Sequence, residues 1–242
     1  MAWSDCARRD TYLQTGTPSI CFACARRSIE ALKKERCTVC DLPLKSGSTD
    51  CGNPICQWSD RCFEWNYAAA MRSGVLRNVI DSYKYDGFRG WAHIYARVLV
   101  GFLNEARSTF GDFDLIVASP TFVGRGGREW DHTRTVIMEA SQLEDGREWP
   151  FDIDDPPAIV KTAATEPMMG KKWKQRYEIA TGQLREALSV PDTDKTRGKT
   201  ILVYDDVFTD GQTLNEVGRC LIAQGGASRV CGVTLTRQPF GR

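Results

Sequence analysis

The sequence predicts an α/β protein, a parallel sheet flanked by helices, preceded by a small zinc-binding domain. Three observations predict it. Eight of the ten cysteines fall within the first 62 of 242 residues. Beyond about residue 65, short apolar runs alternate with stretches of helical spacing, which implies parallel strands joined by helical crossovers. Late in the chain, the apolar run Thr200-Ile201-Leu202-Val203-Tyr204 leads directly into Asp205-Asp206 and a glycine-bearing turn. The chain is expected to divide into residues 1–65 and 66–242.

Composition narrows the function classes. At 42% apolar and 26% charged residues, the chain is an ordinary globular one, and disorder, collagen and coiled coil are excluded. The 32 basic and 31 acidic residues leave a net charge of +1, so no global field attracts nucleic acid or an anionic membrane. No window reaches the roughly 18 consecutive apolar residues of a membrane span. The most apolar stretch, Ile94 to Leu103, carries Arg97 in its middle. The first residues show neither a basic nor an apolar leader region, so a cytoplasmic protein without a membrane partner is expected.

The N-terminal cysteines have ligand spacing. Cys21-x2-Cys24 and Cys37-x2-Cys40 are two knuckles twelve residues apart, a spacing that presents four thiolates to one zinc ion. Cys51, Cys56 and Cys62, with Cys6 upstream, supply four more ligands, enough for a second site; which cysteines share an ion is left open. A disulfide scaffold would need an oxidising compartment, and iron–sulfur ligation is the remaining alternative. About sixty residues with few large aliphatics bury little, so a structural metal is expected to hold them folded. Arg26, Arg27, Lys33, Lys34 and Arg36 cluster between the knuckles, leaving room for a weak single-stranded nucleic-acid or protein partner.

Taken in order, the elements expected after Cys62 are helices over Tyr67 to Tyr83 and Trp91 to Thr109, the second with an apolar stripe of Ile94, Tyr95, Val98, Leu99, Phe102 and Leu103. A strand over Phe113 to Ala118 ends at Ser119-Pro120, and a helix runs from about Arg128 to Leu143. Glu144 to Pro157 read as a surface loop, Ala158 to Val160 as a strand and Lys171 to Leu188 as a helix. A strand over Lys199 to Tyr204, a helix over Thr213 to Gln224 and a strand over Arg229 to Leu235 complete the chain.

The most informative segment is Thr200 to Leu214. An apolar strand delivers Asp205 and Asp206 at its carboxyl end, where ligands bind in open α/β sheets. The turn around Gly211 and the helix start at Thr213 offer free N–H groups and a helix dipole, an anion pocket of phosphate size. An Asp-Asp pair at such a place often is a solvated turn or a cap. Beside a phosphate cradle it makes sense if the acids address hydroxyls, because a ribose carries two vicinal hydroxyls on the ring that bears its 5′-phosphate. A divalent cation would offset the remaining repulsion.

This stretch resembles the PRPP-binding signature of type I phosphoribosyltransferases. The resemblance to the ComF/GntX-type branch extends over nearly the whole chain: the cysteine knuckles, the Lys84-Tyr85-Asp86-Gly87 turn, the Ser119-Pro120 strand end, an arginine-rich segment and the acidic signature. It implies a type I phosphoribosyltransferase-like, Rossmann-type sheet, with PRPP or another ribose 5-phosphate as ligand and Mg²⁺ alongside it. Asp205 and Asp206 would then hold the ribose hydroxyls as the catalytic pair. Val207, Phe208, Thr209, Asp210, Gly211, Gln212 and Thr213 would wrap the 5′-phosphate. Ser119, Pro120 and Thr121 would form the pyrophosphate turn, with Arg125 and Arg128 near it. Asp210 stands where the family usually has threonine, and Arg176 stands where the family has an arginine. The reaction implied is transfer of ribose 5-phosphate to a nitrogen acceptor, or PRPP sensing without turnover.

Other residues carry less. Lys161, Lys171, Lys172 and Lys174 form a basic run that reads as a solvated face. His93 and His132 lack metal-pair spacing and read as structural or surface residues, and Cys220 and Cys231 as small apolar core residues.

Overall fold

The computed structural model describes Leu32 and residues 35–239. In chain order its main elements are β1 (Asn66–Met71), α1 (Gly74–Tyr85), α2 (Trp91–Phe110), β2 (Leu115–Ala118), α3 (His132–Gln142), β3 (Val160–Lys161), α4 (Trp173–Ile179), β4 (Leu188–Ser189), β5 (Thr200–Phe208), α5 (Gln212–Ala223) and β6 (Arg229–Arg237). Four strands form one parallel sheet in the order β1-β6-β5-β2. The central pair is in register from Thr200 opposite Arg229 to Phe208 opposite Arg237. Both strands are covered on both faces, which is why they read as nearly continuous apolar runs.

One face packs on α1, α2 and α3, where Leu202 and Tyr204 meet Tyr83, Tyr95 and Leu103. The other packs on α5 and on the cysteine-bearing segment, where Ile201 and Val203 join Val217, Leu221, Ile55 and Phe63. The described cysteine segment therefore shares a core with the sheet. It is also hydrogen-bonded to it, from the Asn66 N–H to the Val39 carbonyl at 2.8 Å and from the Ala68 N–H to the Asp41 carboxylate at 2.8 Å. No helix among the described residues is long and apolar enough to cross a membrane.

The α/β architecture is the expected one, and the differences are local. The start of the expected helix over Tyr67 to Tyr83 is instead β1: residues 66–71 alternate buried and half-buried, and β6 offers them a ladder. The alanines of Tyr-Ala-Ala-Ala-Met favour helix, and the tertiary partner overrides them. The expected strand at Ala158 to Val160 falls at β3, outside the central sheet, and pairs antiparallel with β4. The expected helix over Lys171 to Leu188 is interrupted by a π-turn at Ala180–Leu184 and gives way to β4. The helix expected from Arg128 starts at His132, where the Asp131 carboxylate accepts the Arg134 N–H and caps it.

Candidate functional site

The strand expected to stop at Tyr204 runs on to Phe208, because β6 keeps offering partners: Thr234 opposite Asp205 and Thr236 opposite Val207. The acidic pair therefore sits inside the ladder. Alternation along a strand sends neighbouring side chains to opposite faces, and it separates Asp205 from Asp206. Asp205 lines a cleft together with Val203 and Val207, whereas Asp206 turns toward α1 and α3.

The cleft has a volume of about 70 Å³ and is closed by the turn Thr209 to Thr213, with Asn66, Met168, Arg176 and Thr234 on its walls. That is the space of about two waters, or of one small anion. Gly211 makes the turn possible. Its φ is +89°, and a Cβ there would lie 2.6 Å from the Phe208 ring. The helix start after it, at Gln212 rather than Thr213, leaves the first N–H groups of α5 without intrahelical partners at the cleft. Gln212 is 1% exposed, and among the described residues neither atom of its carboxamide has a partner; the Asn66 side-chain oxygen also lacks one there.

Asp210 points inward. It is buried, and its carboxylate lies 3.0 Å from Arg176 Nε on α4. Burial raises its pKa and Arg176 works against the rise. The negative charge in the turn is thus met by a cation of the chain itself.

The surroundings of Asp206 are different. Both its oxygens lie within 2.9 Å of Lys84 Nζ, at the end of α1, and one is 3.4 Å from His132 Nε2. Burial opposes ionisation here, but Lys84 and His132 outweigh it and hold the Asp206 carboxyl well below its ordinary range. The carboxylate of Asp205 accepts from the backbone N–H of Asp206 at 2.8 Å and, among the described residues, faces no basic side chain at ion-pair distance. Burial and the neighbouring Asp206 charge push its pKa up to about 7. The two acids hence have different chemistry, and only Asp205 faces a ligand space. Sequence reasoning missed this division and missed Lys84 and His132 as its cause; a lysine in a buried-face register of α1 was the available signal.

The Ser119 turn sits at the end of β2. The Ser119 N–H donates to the Tyr204 carbonyl at 2.7 Å, and its carbonyl accepts from Thr133 Oγ1 at 2.7 Å. Arg128 donates to the Lys84 carbonyl at 3.0 Å and stacks over the Tyr85 ring at 4.6 Å. Lys161 lies near enough to Arg128 that burial first, and that guanidinium second, lower its pKa. Lys161, read from sequence as part of a solvated face, is instead half-buried and donates to Thr165 Oγ1 at 2.7 Å. Arg125 is exposed.

The cysteines converge as well. Cys37, Cys40, Cys51 and Cys56 place their sulfurs within 4.8 Å of one another. Two of the separations are 3.7 Å (Cys37 to Cys56) and 3.6 Å (Cys40 to Cys51). A tetrahedral zinc with bonds of about 2.3 Å requires sulfur separations of about 3.8 Å, so the four thiols fit a zinc ion; a disulfide they are not, since that needs about 2.05 Å. Among the described residues, the Cys37–Cys40 knuckle therefore takes its partners from Cys51 and Cys56. Cys62 stands apart from the four, with its sulfur 3.4 Å from the Asp60 carbonyl. Cys6, Cys21 and Cys24, and the basic residues Arg26, Arg27, Lys33 and Lys34, lie outside the described residues.

No family model matches the chain, and no curated protein matches it in sequence. Among solved structures, one described as the allosteric regulatory enzyme of purine biosynthesis is similar over 58% of this chain and 25% of its own, at 16% identity and a TM-score of 0.35. The chain thus corresponds to about a quarter of that protein's length, and a likeness at this level carries no argument about function.

Proposed function

We propose that the cleft takes the 5′-phosphate of PRPP, with the ribose at its mouth beside Asp205, and that the protein transfers ribose 5-phosphate to a nitrogen acceptor with release of pyrophosphate. The single observation that carries this reading is the pairing of Asp205, a cleft carboxylate with no ion-pair partner among the described residues, with the anion-sized turn at the start of α5. It agrees with the sequence resemblance to the ComF/GntX-type branch of phosphoribosyltransferases. The N–H groups of Gly211, Thr213 and Leu214 and the dipole of α5 take the 5′-phosphate, the Gln212 N–H being held by Asp210, and Asp205 accepts from a ribose hydroxyl. The Ser119 turn, with Arg128 following it, takes the pyrophosphate.

In the reaction, the acceptor nitrogen's lone pair forms a bond to C1 of the ribose. The C1–oxygen bond breaks, and pyrophosphate leaves with the electron pair. Asp205 is the residue that fits a Mg²⁺ ion, since it is a cleft carboxylate with no ion-pair partner among the described residues, and the ion would neutralise charge on the departing pyrophosphate. The chain's own contribution is positioning and charge stabilisation, with no covalent step on a side chain. The four thiols would hold zinc as a structural ion.

A second reading, PRPP sensing without turnover, is favoured by one feature. Asp210 puts a buried carboxylate in the phosphate turn, where it competes with the ligand for Arg176. Incubation of metal-loaded protein with PRPP, Mg²⁺ and a panel of nitrogenous bases separates the two: pyrophosphate release supports transfer, and binding without release supports sensing.

A further inference from the structure

The guanidinium of Arg237, at the end of β6, is fully buried. Its fork joins two places that the sequence keeps nearly 170 residues apart. On one side, Nε donates to the Cys40 carbonyl at 2.7 Å and an Nη lies 3.5 Å from the Cys40 sulfur. On the other, an Nη donates to the carbonyls of Phe208 at 3.1 Å and Thr209 at 2.7 Å, where the ligand turn begins, and to that of Gln238 at 2.6 Å. The ring of Phe208 lies under the same guanidinium, 4.9 Å away.

The nearby carboxylates are committed elsewhere, Asp41 to Arg36 and Asp210 to Arg176, each at 3.0 Å. Four thiolates around a dication carry a net charge of about −2, so a loaded centre is the counter-charge in direct contact with the fork. A second contact runs in parallel: Ile55, between the ligands Cys51 and Cys56, packs against Gly211, within 3.3 Å of where a Cβ would stand.

We propose that Arg237 is a positioning residue that couples the Cys37–Cys40–Cys51–Cys56 metal centre to the ligand turn, so that metal occupancy holds residues 208–213 in their binding conformation. A metal-bound Cys40 fixes one end of the fork, and the fork fixes the carbonyls that start the turn. Linkage makes the effect reciprocal: a ligand that orders the turn raises the affinity for the metal by the factor by which the metal strengthens the ligand. The functional half of this inference rests on the proposed ribose-phosphate site; the structural half does not.

Hydrogen exchange on the full chain tests the structural half. Amides of residues 208–213 exchange about tenfold faster after metal removal by a chelator, while those of β2 are unchanged. In zinc-loaded Arg237→Gln the turn exchanges as fast as in metal-free wild type. Arg237→Lys keeps the charge but not the fork, so it retains zinc as wild type does and still loses protection of the turn. Equal exchange of the turn with and without metal overturns the proposal, as does acceleration of β2 together with the turn, which marks global unfolding. The reciprocal readout is zinc affinity by equilibrium competition with a chromophoric chelator, raised several-fold by ribose 5-phosphate with Mg²⁺ in wild type and not in Arg237→Gln. Failure of ribose 5-phosphate to bind any variant counts against the ribose-phosphate site alone, because the exchange result stands without it.

Discussion

Asp205 and Asp206 are neighbours on one strand, yet they live in opposite surroundings. Asp206 is 2% exposed and has a lysine against both oxygens and a histidine close by. Asp205 is half-buried, looks into the cleft and has no ion-pair partner among the described residues. A carboxylate whose charge is already answered within the fold holds the fold together. One left unanswered beside a turn of N–H groups is placed for something that arrives. The same contrast divides the turn itself, where Asp210 is answered by Arg176 and the carboxamide of Gln212 is not answered among the described residues.

The sharpest way to break this contrast is to remove Asp206. Asp206→Ala strands Lys84 in the interior and costs about 3–5 kcal/mol of stability by denaturant unfolding. A loss below about 1 kcal/mol would mean that the ion pair is not structural. Replacing both acids at once is therefore no clean probe of binding, because one of them supports the fold.

Arg176→Gln comes next. It leaves the buried Asp210 carboxylate without its cation, and about 1–3 kcal/mol of stability is lost near neutral pH. Because burial already raises the Asp210 pKa, this loss shrinks as the pH falls and the carboxyl takes up a proton. A loss that grows on acidification would contradict the inward placement of Asp210.

Asp205→Asn has a smaller effect on energy and a larger one on function. Affinity for ribose 5-phosphate with Mg²⁺ falls at least tenfold, about 1.4 kcal/mol, in calorimetric titration. Stability stays level or rises, since the group removed is one that the fold prefers protonated. Unfolding of the variant would place Asp205 with Asp206 among the structural acids.

The subtlest expectation concerns pH. The Asp205 pKa of about 7 in the folded protein lies above its ordinary 3.8, so its ionisation costs stability as pH rises from about 4 to about 7 and adds no further cost above that. Ligand binding with Mg²⁺ needs the ionised form, so affinity rises as pH passes through 7 and then levels. That step disappears in Asp205→Asn, apart from the titration of the ligand's own phosphate. A variant with an unchanged pH profile would assign the step to another group.

Much of the site is legible in the sequence. Ile201-Leu202-Val203 followed by two acids and Gly211-x-Thr213 marks a buried strand entering a ligand turn, because the strand's apolar run and the glycine's left-handed backbone are local properties. Partnership across the fold is not legible in that way. Nothing local says that Asp205 and Asp206 fall on opposite faces of a ladder that continues to Phe208, since the ladder depends on how far β6 runs. Nothing local pairs Cys37 and Cys40 with Cys51 and Cys56 when Cys21 and Cys24 have the better spacing. Arg237 carries a faint signal, a charged residue closing the apolar run Val230 to Leu235, but its partners come from Cys40 and Thr209. The short strand β1 reads as helix for the same reason, its alanines being decided by β6.

The central claim is that Asp205 and the turn before α5 form a site for a phosphorylated ribose. Calorimetric titration of PRPP with Mg²⁺ into zinc-loaded wild-type protein and into Asp205→Asn tests it most directly. Saturable binding by wild type, weakened at least tenfold in a variant of unchanged thermal stability, is the expected result. Equal binding by both proteins, or binding by neither, would contradict it.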